Sequence, residues 1–240
     1  MKNIRKSLST LACAAVACAA AVSCSDKGDE PGTGTSTTPP DDSFYNFATY
    51  NGSGDNSSSF TVVREGDAGE ATVTFSRTFK PEQLSVGDRV FMAYTTLSGK
   101  EYVSGPGTLF AVSNVTGGKP VTATELNRVQ QSTPVKMVLM KRTGNYLNMA
   151  FQVSSLGSLS RLQLTQRDNI KNPEYPLLGL YVRSDSEMAN YQYARVSFDV
   201  SGVLDLPDTK GFQVEYSGDR GIDTLTFVKS GGIGTITPMQ

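Results

Sequence analysis

The chain has 240 residues, 22 Lys and Arg against 23 Asp and Glu, and a formal net charge of −1. It has no histidine and no tryptophan, and its three cysteines, Cys13, Cys18 and Cys24, all lie before residue 25. Ser-His-Asp and Cys-His triads, histidine-ligated zinc and a histidine general base are therefore excluded, and the chain after Cys24 has neither disulfides nor thiolate chemistry.

Lys2, Arg5 and Lys6 make a positive start, and residues 8–22 make an Ala-rich apolar run. That run is too short and too weakly apolar for a comfortable membrane span. Ala21, Val22 and Ser23 precede Cys24, and Asp26, Lys27, Asp29 and Glu30 soon follow it. The pattern predicts a lipoprotein signal peptide over 1–23, with Cys24 as the lipid-bearing first residue of the mature protein. Cys18 has a similar flank in Ala15, Val16 and Ala17, but the residues after it stay apolar. An ordinary secretory signal is the other reading. Each buried CH₂ of an acyl chain contributes about 0.8 kcal/mol, so the two or three chains of a lipoprotein cysteine hold in effect permanently. Asp26, Asp29 and Glu30 read either as an export signal of surface lipoproteins or as the solvated start of a linker. The expected location is the outer membrane, at the cell surface if the acids act as that signal.

Removing the three cations of the signal leaves 19 positive against 23 negative side chains, a net of −4. This disfavours the phosphate attraction on which nucleic-acid binding rests, and it leaves no polybasic patch for anionic lipid. The lack of Trp removes the stacking platform most used for sugars, although Tyr can substitute.

Residues 24–42 hold the lipidated Cys and a linker of Gly, Ser, Thr, Pro and acids that cannot bury enough surface to fold. From Phe44 onward short β runs appear, the first clear strand carrying Phe60 and Val62. Ala71, Val73 and Phe75 alternate with polar neighbours, as do Val90, Met92 and Tyr94. Leu109 to Val112 is a further strand. Thr122 and Glu125 have capping-box spacing and predict a short helix through Leu126 and Val129. Val135 to Lys141 is apolar on both faces, as a central strand would be. Leu147, Met149, Phe151 and Val153 form one apolar face, with Tyr146, Asn148, Ala150 and Gln152 opposite. Leu162 and Leu164, then residues 177–182, continue the series. Ala194, Val196 and Phe198 face one way, while Tyr193, Arg195 and Ser197 face the other. Phe212, Val214, Tyr216, Leu225 and Phe227 complete it. Many short strands with Gly and Pro turns argue an all-β sandwich or barrel.

Three stretches carry a family resemblance: Gly87-Asp88-Arg89-Val90-Phe91-Met92-Ala93-Tyr94, Gly144-Asn145-Tyr146-Leu147-Asn148-Met149-Ala150-Phe151, and Val196-Ser197-Phe198-Asp199-Val200-Ser201. In order and spacing the chain from Phe60 to Lys229 resembles the NigD-like family of bacterial lipoproteins. The resemblance implies an N-terminal OB-like β domain over 43–132 and a C-terminal β-sandwich over 133–240. It also implies an envelope lipoprotein, one member being associated with a bacteriocin locus. It carries over no catalytic or ligand residues. Val138, Leu139 and Met140 stand where the family pattern leads one to expect Trp.

Several groups invite a site and have a plainer reading. Phe91, Tyr94, Tyr102 and Phe110 offer rings for base stacking, but small barrels bury such rings in their cores. Asp185 with Glu187, Asp205 with Asp208, and Asp219 with Asp223 lack calcium-loop spacing and sit beside turns, where Asp caps local backbone. Gly231, Gly232 and Gly234 follow a strand but open no helix, so a tail is the plainer reading than a phosphate loop. Tyr191 and Tyr193 lie on the polar face of their strand and mark a binding patch, a sheet edge or an inter-domain contact.

The sequence thus predicts no enzyme, no cofactor and no metal. It predicts a lipid-anchored adaptor that binds an envelope or surface protein and no nucleic acid. The alternatives are a structural surface subunit of the fimbrillin kind and a hydrolase using carboxylates or a Ser–Lys pair.

Overall fold

The computed structural model describes residues 39–65, 69–154, 159–184, 191–229 and 235–236. Cys24, Asp26, Asp29 and Glu30 lie outside the described residues, as do Asp185, Glu187 and residues 231–234. Among the described residues no helix is long and apolar enough to cross a membrane. The fold is all-β, a closed barrel followed by two packed sheets.

β1 (Phe44–Ser53), β2 (Ser58–Val63), β3 (Glu70–Phe75), β4 (Arg89–Thr96) and β5 (Gly105–Asn114) form the barrel. They follow one another around it in the order β1-β2-β3-β5-β4, and β4 returns to β1. Only β3 and β5 run parallel. Strict alternation drives closure. Phe60 and Val62, then Val73 and Phe75, then Val90, Met92 and Tyr94 point inward and are buried. The rings pack in sequence, Tyr50 on Phe60 at 5.2 Å, Phe60 on Phe75 at 5.7 Å and Phe75 on Tyr94 at 5.9 Å between centroids. Each such burial contributes about 1.5–3 kcal/mol. Gly107 lies against the backbone carbonyl of Thr95, where a Cβ has no room. Its bare Cα lets β5 approach β4 at the point where it also meets β3.

The next strands are β6 (Thr116–Gly118), β7 (Val121–Thr122), β8 (Val135–Thr143), β9 (Tyr146–Ser154) and β10 (Leu159–Arg167). They are followed by β11 (Leu177–Ser184), β12 (Tyr191–Asp199), β13 (Gly211–Gly218), β14 (Gly221–Val228) and β15 (Thr235–Ile236). One sheet has the order β15-β14-β13-β11-β10-β7 and the other β6-β12-β9-β8. β6 and β7 pair in parallel with β12 and β10, so the chain leaving the barrel enters both sheets at once. Between the sheets lie Leu147, Met149, Phe151, Val153, Leu178, Leu180, Val196, Phe198, Phe212 and Phe227. Arg142 is buried there too, its guanidinium donating to the carbonyls of Gly144 at 2.7 Å and Lys229 at 3.0 Å.

Three expectations are corrected. The helix predicted through Leu126 and Val129 is a turn followed by one 3-10 turn, Val129–Gln131. Thr122 is part of β7 and caps nothing. Thr124 instead forms a side-chain turn, in which Asn127 Oδ1 accepts from both the backbone N–H and the hydroxyl of Thr124. That local bonding competes with a helix. The single helical turn α1 (Ser201–Leu204) lies elsewhere. The strand over Val135–Lys141 is not central. As β8 it forms a sheet edge, and a bulge between Met137 and Leu139 turns Val138 out to 52% exposure. A strand also precedes Phe60: β1 pairs both β2 and β4.

Candidate functional site

The alternation that fills both cores also aims a second set of side chains outward. On β1 and β4 these are Tyr45, Phe47, Thr49, Arg89, Phe91 and Ala93, where Phe47 faces Phe91 and Thr49 faces Arg89 across the ladder. On β9 and β12 they include Tyr146, Asn148, Ala150, Tyr193, Arg195 and Ser197, where Ser197 faces Asn148 and Tyr193 faces Gln152. In isolated sheets both rows would be solvated. Here Phe47, Ala93, Asn148, Ala150 and Ser197 are buried, because the barrel wall and the outer face of the four-stranded sheet meet.

Arg89 is the deep contact. It donates from Nε to Ser197 Oγ at 3.0 Å, from one Nη to Thr49 Oγ1 at 2.8 Å and from the other to Asn148 Oδ1 at 3.0 Å. Its guanidinium carbon stands 4.1 Å from the centre of the Tyr146 ring. Burial lowers its pKa to about 10, against an opposing effect from Tyr146, so it stays cationic at neutral pH. Three neutral oxygens and a ring thus surround the guanidinium and solvate its charge. Ser197 donates onward to Asn148 Oδ1 at 2.8 Å, and Asn148 donates to Thr143 Oγ1 at 2.7 Å. Every buried polar group in this cluster thereby has a partner. Gly117 of β6 lies against the Ser197 backbone with no room for a Cβ, which holds β12 in register behind the contact.

The rim of the junction is different in character. Arg195 places its guanidinium 4.4 Å from the Phe91 ring centre and 5.6 Å from that of Tyr193. Phe91 in turn stacks on Tyr45 at 6.4 Å and meets Phe47 edge-on at 5.2 Å. Tyr45 is 53%, Tyr193 52% and Tyr191 67% exposed. A strip of rings and one cation therefore runs from the barrel onto the sandwich and stays open to solvent. Tyr, Phe and Arg are the residues enriched where proteins bind proteins.

The other candidates scatter. Tyr94 is fully buried in the barrel and Phe110 is half-buried on β5. Tyr102 packs on the barrel core and donates to Asn46 Oδ1 at 3.1 Å, while Asn46 Nδ2 donates to Tyr94 Oη at 3.1 Å and to Glu101 Oε1 at 2.8 Å. Phe91, Tyr94, Tyr102 and Phe110 thus make no common platform. Asp205 and Asp208 lie around the turn after α1. Asp219 sits in the β13–β14 turn and Asp223 faces Tyr216 across the ladder. Among the described residues no three His, Cys, Asp or Glu side chains gather as a metal site. Of the sequence candidates, Phe91 and Tyr193 meet in the exposed strip, and Tyr191 lies exposed on the same strand as Tyr193. Arg195 lies two residues from Tyr193 on β12, but Tyr45 and Phe91 come from β1 and β4, and no local pattern links them to it.

No protein-family model matches the chain, and neither does any curated protein. Solved structures do. A protein of unknown function from Bacteroides vulgatus superposes with a TM-score of 0.60 at 19% identity, over 78% of this chain and 90% of that one. A protein described as toxin-related from Parabacteroides distasonis gives 0.58 at 21% identity, over 78% and 94%. A NigD-like immunity protein from Bacteroides caccae gives 0.53 at 16% identity, over 81% and 91%. The chain therefore shares its barrel-plus-sandwich fold with a NigD-like protein, which supports the resemblance read from its sequence.

Proposed function

We propose that this chain is a non-enzymatic lipoprotein of the outer membrane, anchored through Cys24, that binds a protein partner through the rim of the barrel–sandwich junction. The carrying observation is the exposed strip Tyr45–Phe91–Arg195–Tyr193, continuous across both halves of the molecule. Such a strip offers a partner large rigid rings at low entropic cost. A fixed junction behind it means that little ordering is needed on binding. The likeness to a NigD-like immunity protein supports a protein as counterpart rather than a substrate. A fimbrillin-like role gains nothing from the C-terminal strand, since β15 lies on β14 of its own chain.

The test is affinity capture from membranes at native expression, comparing the wild type with the double variant Tyr45→Ala, Tyr193→Ala. An envelope protein retained by the wild type and lost by the variant is the expected result. The same protein retained equally by both overturns the reading.

A further inference from the structure

The two sheets of the sandwich are unequal. The four-stranded sheet ends at β8, which packs over β13. The six-stranded sheet continues past β13 to β14 and β15, and among the described residues no strand of the smaller sheet lies beyond β8 to match them. The core is thin on that side. Met137 and Met140 of β8, Tyr216 of β13 and Leu225 of β14 pack on the buried cluster but are only partly covered. Val135, Met137, Met140 and Arg142 form the inward row of β8, each facing an inward residue of β9. The two ends of that row are closed. Val135 is buried, and Arg142 donates to the carbonyl of Lys229 just past β14. The middle, Met137 and Met140, stays half open.

The backbone of β8 is open on the same side. It pairs β9 along one edge and ends the sheet at the other. Every second residue therefore turns its N–H and C=O away from β9, toward an added strand. The bulge at Val138 takes up a single position. From Leu139 to Thr143 the pairing with β9 is unbroken, so a regular stretch of edge remains. One more strand there would bond to β8 and lay its inward side chains over Met137, Met140 and Leu225.

The side chains of β8 choose the occupant. Residues 25–38 of the chain itself carry no Val, Ile, Leu, Met or aromatic residue to lay on the open row. A second copy of β8, antiparallel about Val138 and Leu139, would set Lys136 against Lys141 at both ends. Like charges directly opposite repel. Lys136, Leu139 and Lys141 form the outward row, facing Gln152, Ala150 and Asn148 of β9. The ion pairs among the described residues involve neither lysine. Carboxylates opposite them would turn repulsion into attraction. An antiparallel strand that suits this edge carries acids four residues apart, with apolar residues just inside them.

We propose that the edge of β8 accepts an extended segment of a partner protein as an added strand, with apolar residues over Met137 and Met140 and carboxylates against Lys136 and Lys141. β9 lies between this edge and the tyrosines of β12, and the site does not depend on the junction.

The test titrates the full-length protein in detergent into a labelled peptide, Thr-Glu-Val-Thr-Val-Glu-Thr, read by fluorescence anisotropy. A version with Lys for both Glu and one with Pro for the central Thr are the comparisons. The acidic peptide binds saturably, and the other two bind about tenfold more weakly or not at all. The double variant Lys136→Glu, Lys141→Glu reverses the preference between the acidic and basic peptides. Hydrogen exchange slows in β8 when the acidic peptide binds and stays unchanged in β4. Tyr193→Ala binds the peptide as the wild type does, so loss of the junction reading leaves this one standing. No saturable binding of the acidic peptide, or binding that leaves exchange in β8 unchanged, overturns the proposal. Protection of β8 without peptide, lost on dilution of a dimer or on deletion of residues 25–38, gives the edge to a second copy or to the linker and overturns it too.

Discussion

Arg89 Nε of the barrel donates to Ser197 Oγ of the sandwich at 3.0 Å. The two residues are 108 positions apart, and their contact links the barrel and the sandwich through one half-buried cation. Removing Arg89 would leave Asn148 and Ser197 buried with fewer partners. Arg89→Ala is therefore expected to lower unfolding stability by about 2–4 kcal/mol. Arg89→Lys recovers little, since an ammonium lacks the planar fork that serves three oxygens at once. Urea unfolding of each variant checks this. A loss within about 0.5 kcal/mol, as at an ordinary surface position, would contradict it.

Gly117 tests the same junction from behind. Any Cβ there meets the backbone of Ser197, so β6 or β12 must shift. Gly117→Ala is expected to cost about 1–3 kcal/mol, the range for overpacking a fitted site. Gly99, with open space around it and a φ of 64°, is the useful comparison, because Gly99→Ala strains only its own backbone. Thermal melts of both variants should separate crowding from conformational strain.

Alkaline pH should unfold the protein in a defined window. Burial raises Tyr94 to about 12, helped by Glu101 and opposed by the Asn46 hydrogen bond. Burial and the facing Asp223 raise Tyr216 to about 12 as well. Tyr102 is also raised, by burial and Glu101. A folded pKa above the unfolded value means that the fold favours the neutral hydroxyl. That contribution is complete below the unfolded tyrosine pKa of about 10 and is lost as pH rises through the folded values. Melting temperature followed by circular dichroism should fall steeply across that interval, and Tyr94→Phe should flatten the fall. A flat profile in the wild type would remove the account of these hydroxyls.

The proposed surface address would rest on residues 24–30. Protease shaving of intact cells should cleave the wild-type protein, and replacing Asp26, Asp29 and Glu30 by Ala should protect it. Protection of both would place the protein inward of the surface and return those acids to a linker role.

Both cores were legible in the sequence wherever one face was apolar and the other polar. Phe60, Val73, Met92, Leu147, Phe151 and Phe198 all point where their alternation says. β1 was less legible because its inward row includes Asn46, a polar residue satisfied by Tyr94, Tyr102 and Glu101 from later in the chain. β8 misled because a bulge breaks its alternation and so imitates a strand buried on both faces. The junction was hidden for a different reason. Asn148 and Ser197 sit on the row that reads as solvated, and only the arrival of Arg89 from the barrel makes them interior. Tyr191 and Tyr193 were visible as oddly placed rings, but their meaning depends on Phe91 and Arg195 meeting across the fold.

The most direct measurement is site-specific photocrosslinking in intact cells at native expression, with the photoreactive residue at Tyr193 and, as control, at Ile170. Ile170 is 94% exposed, in the loop between β10 and β11 away from the strip. The account predicts a discrete crosslinked envelope protein from position 193, lost when Arg195 is also changed to Ala, and none from position 170. Silence at 193, or the same product from both positions, would contradict it.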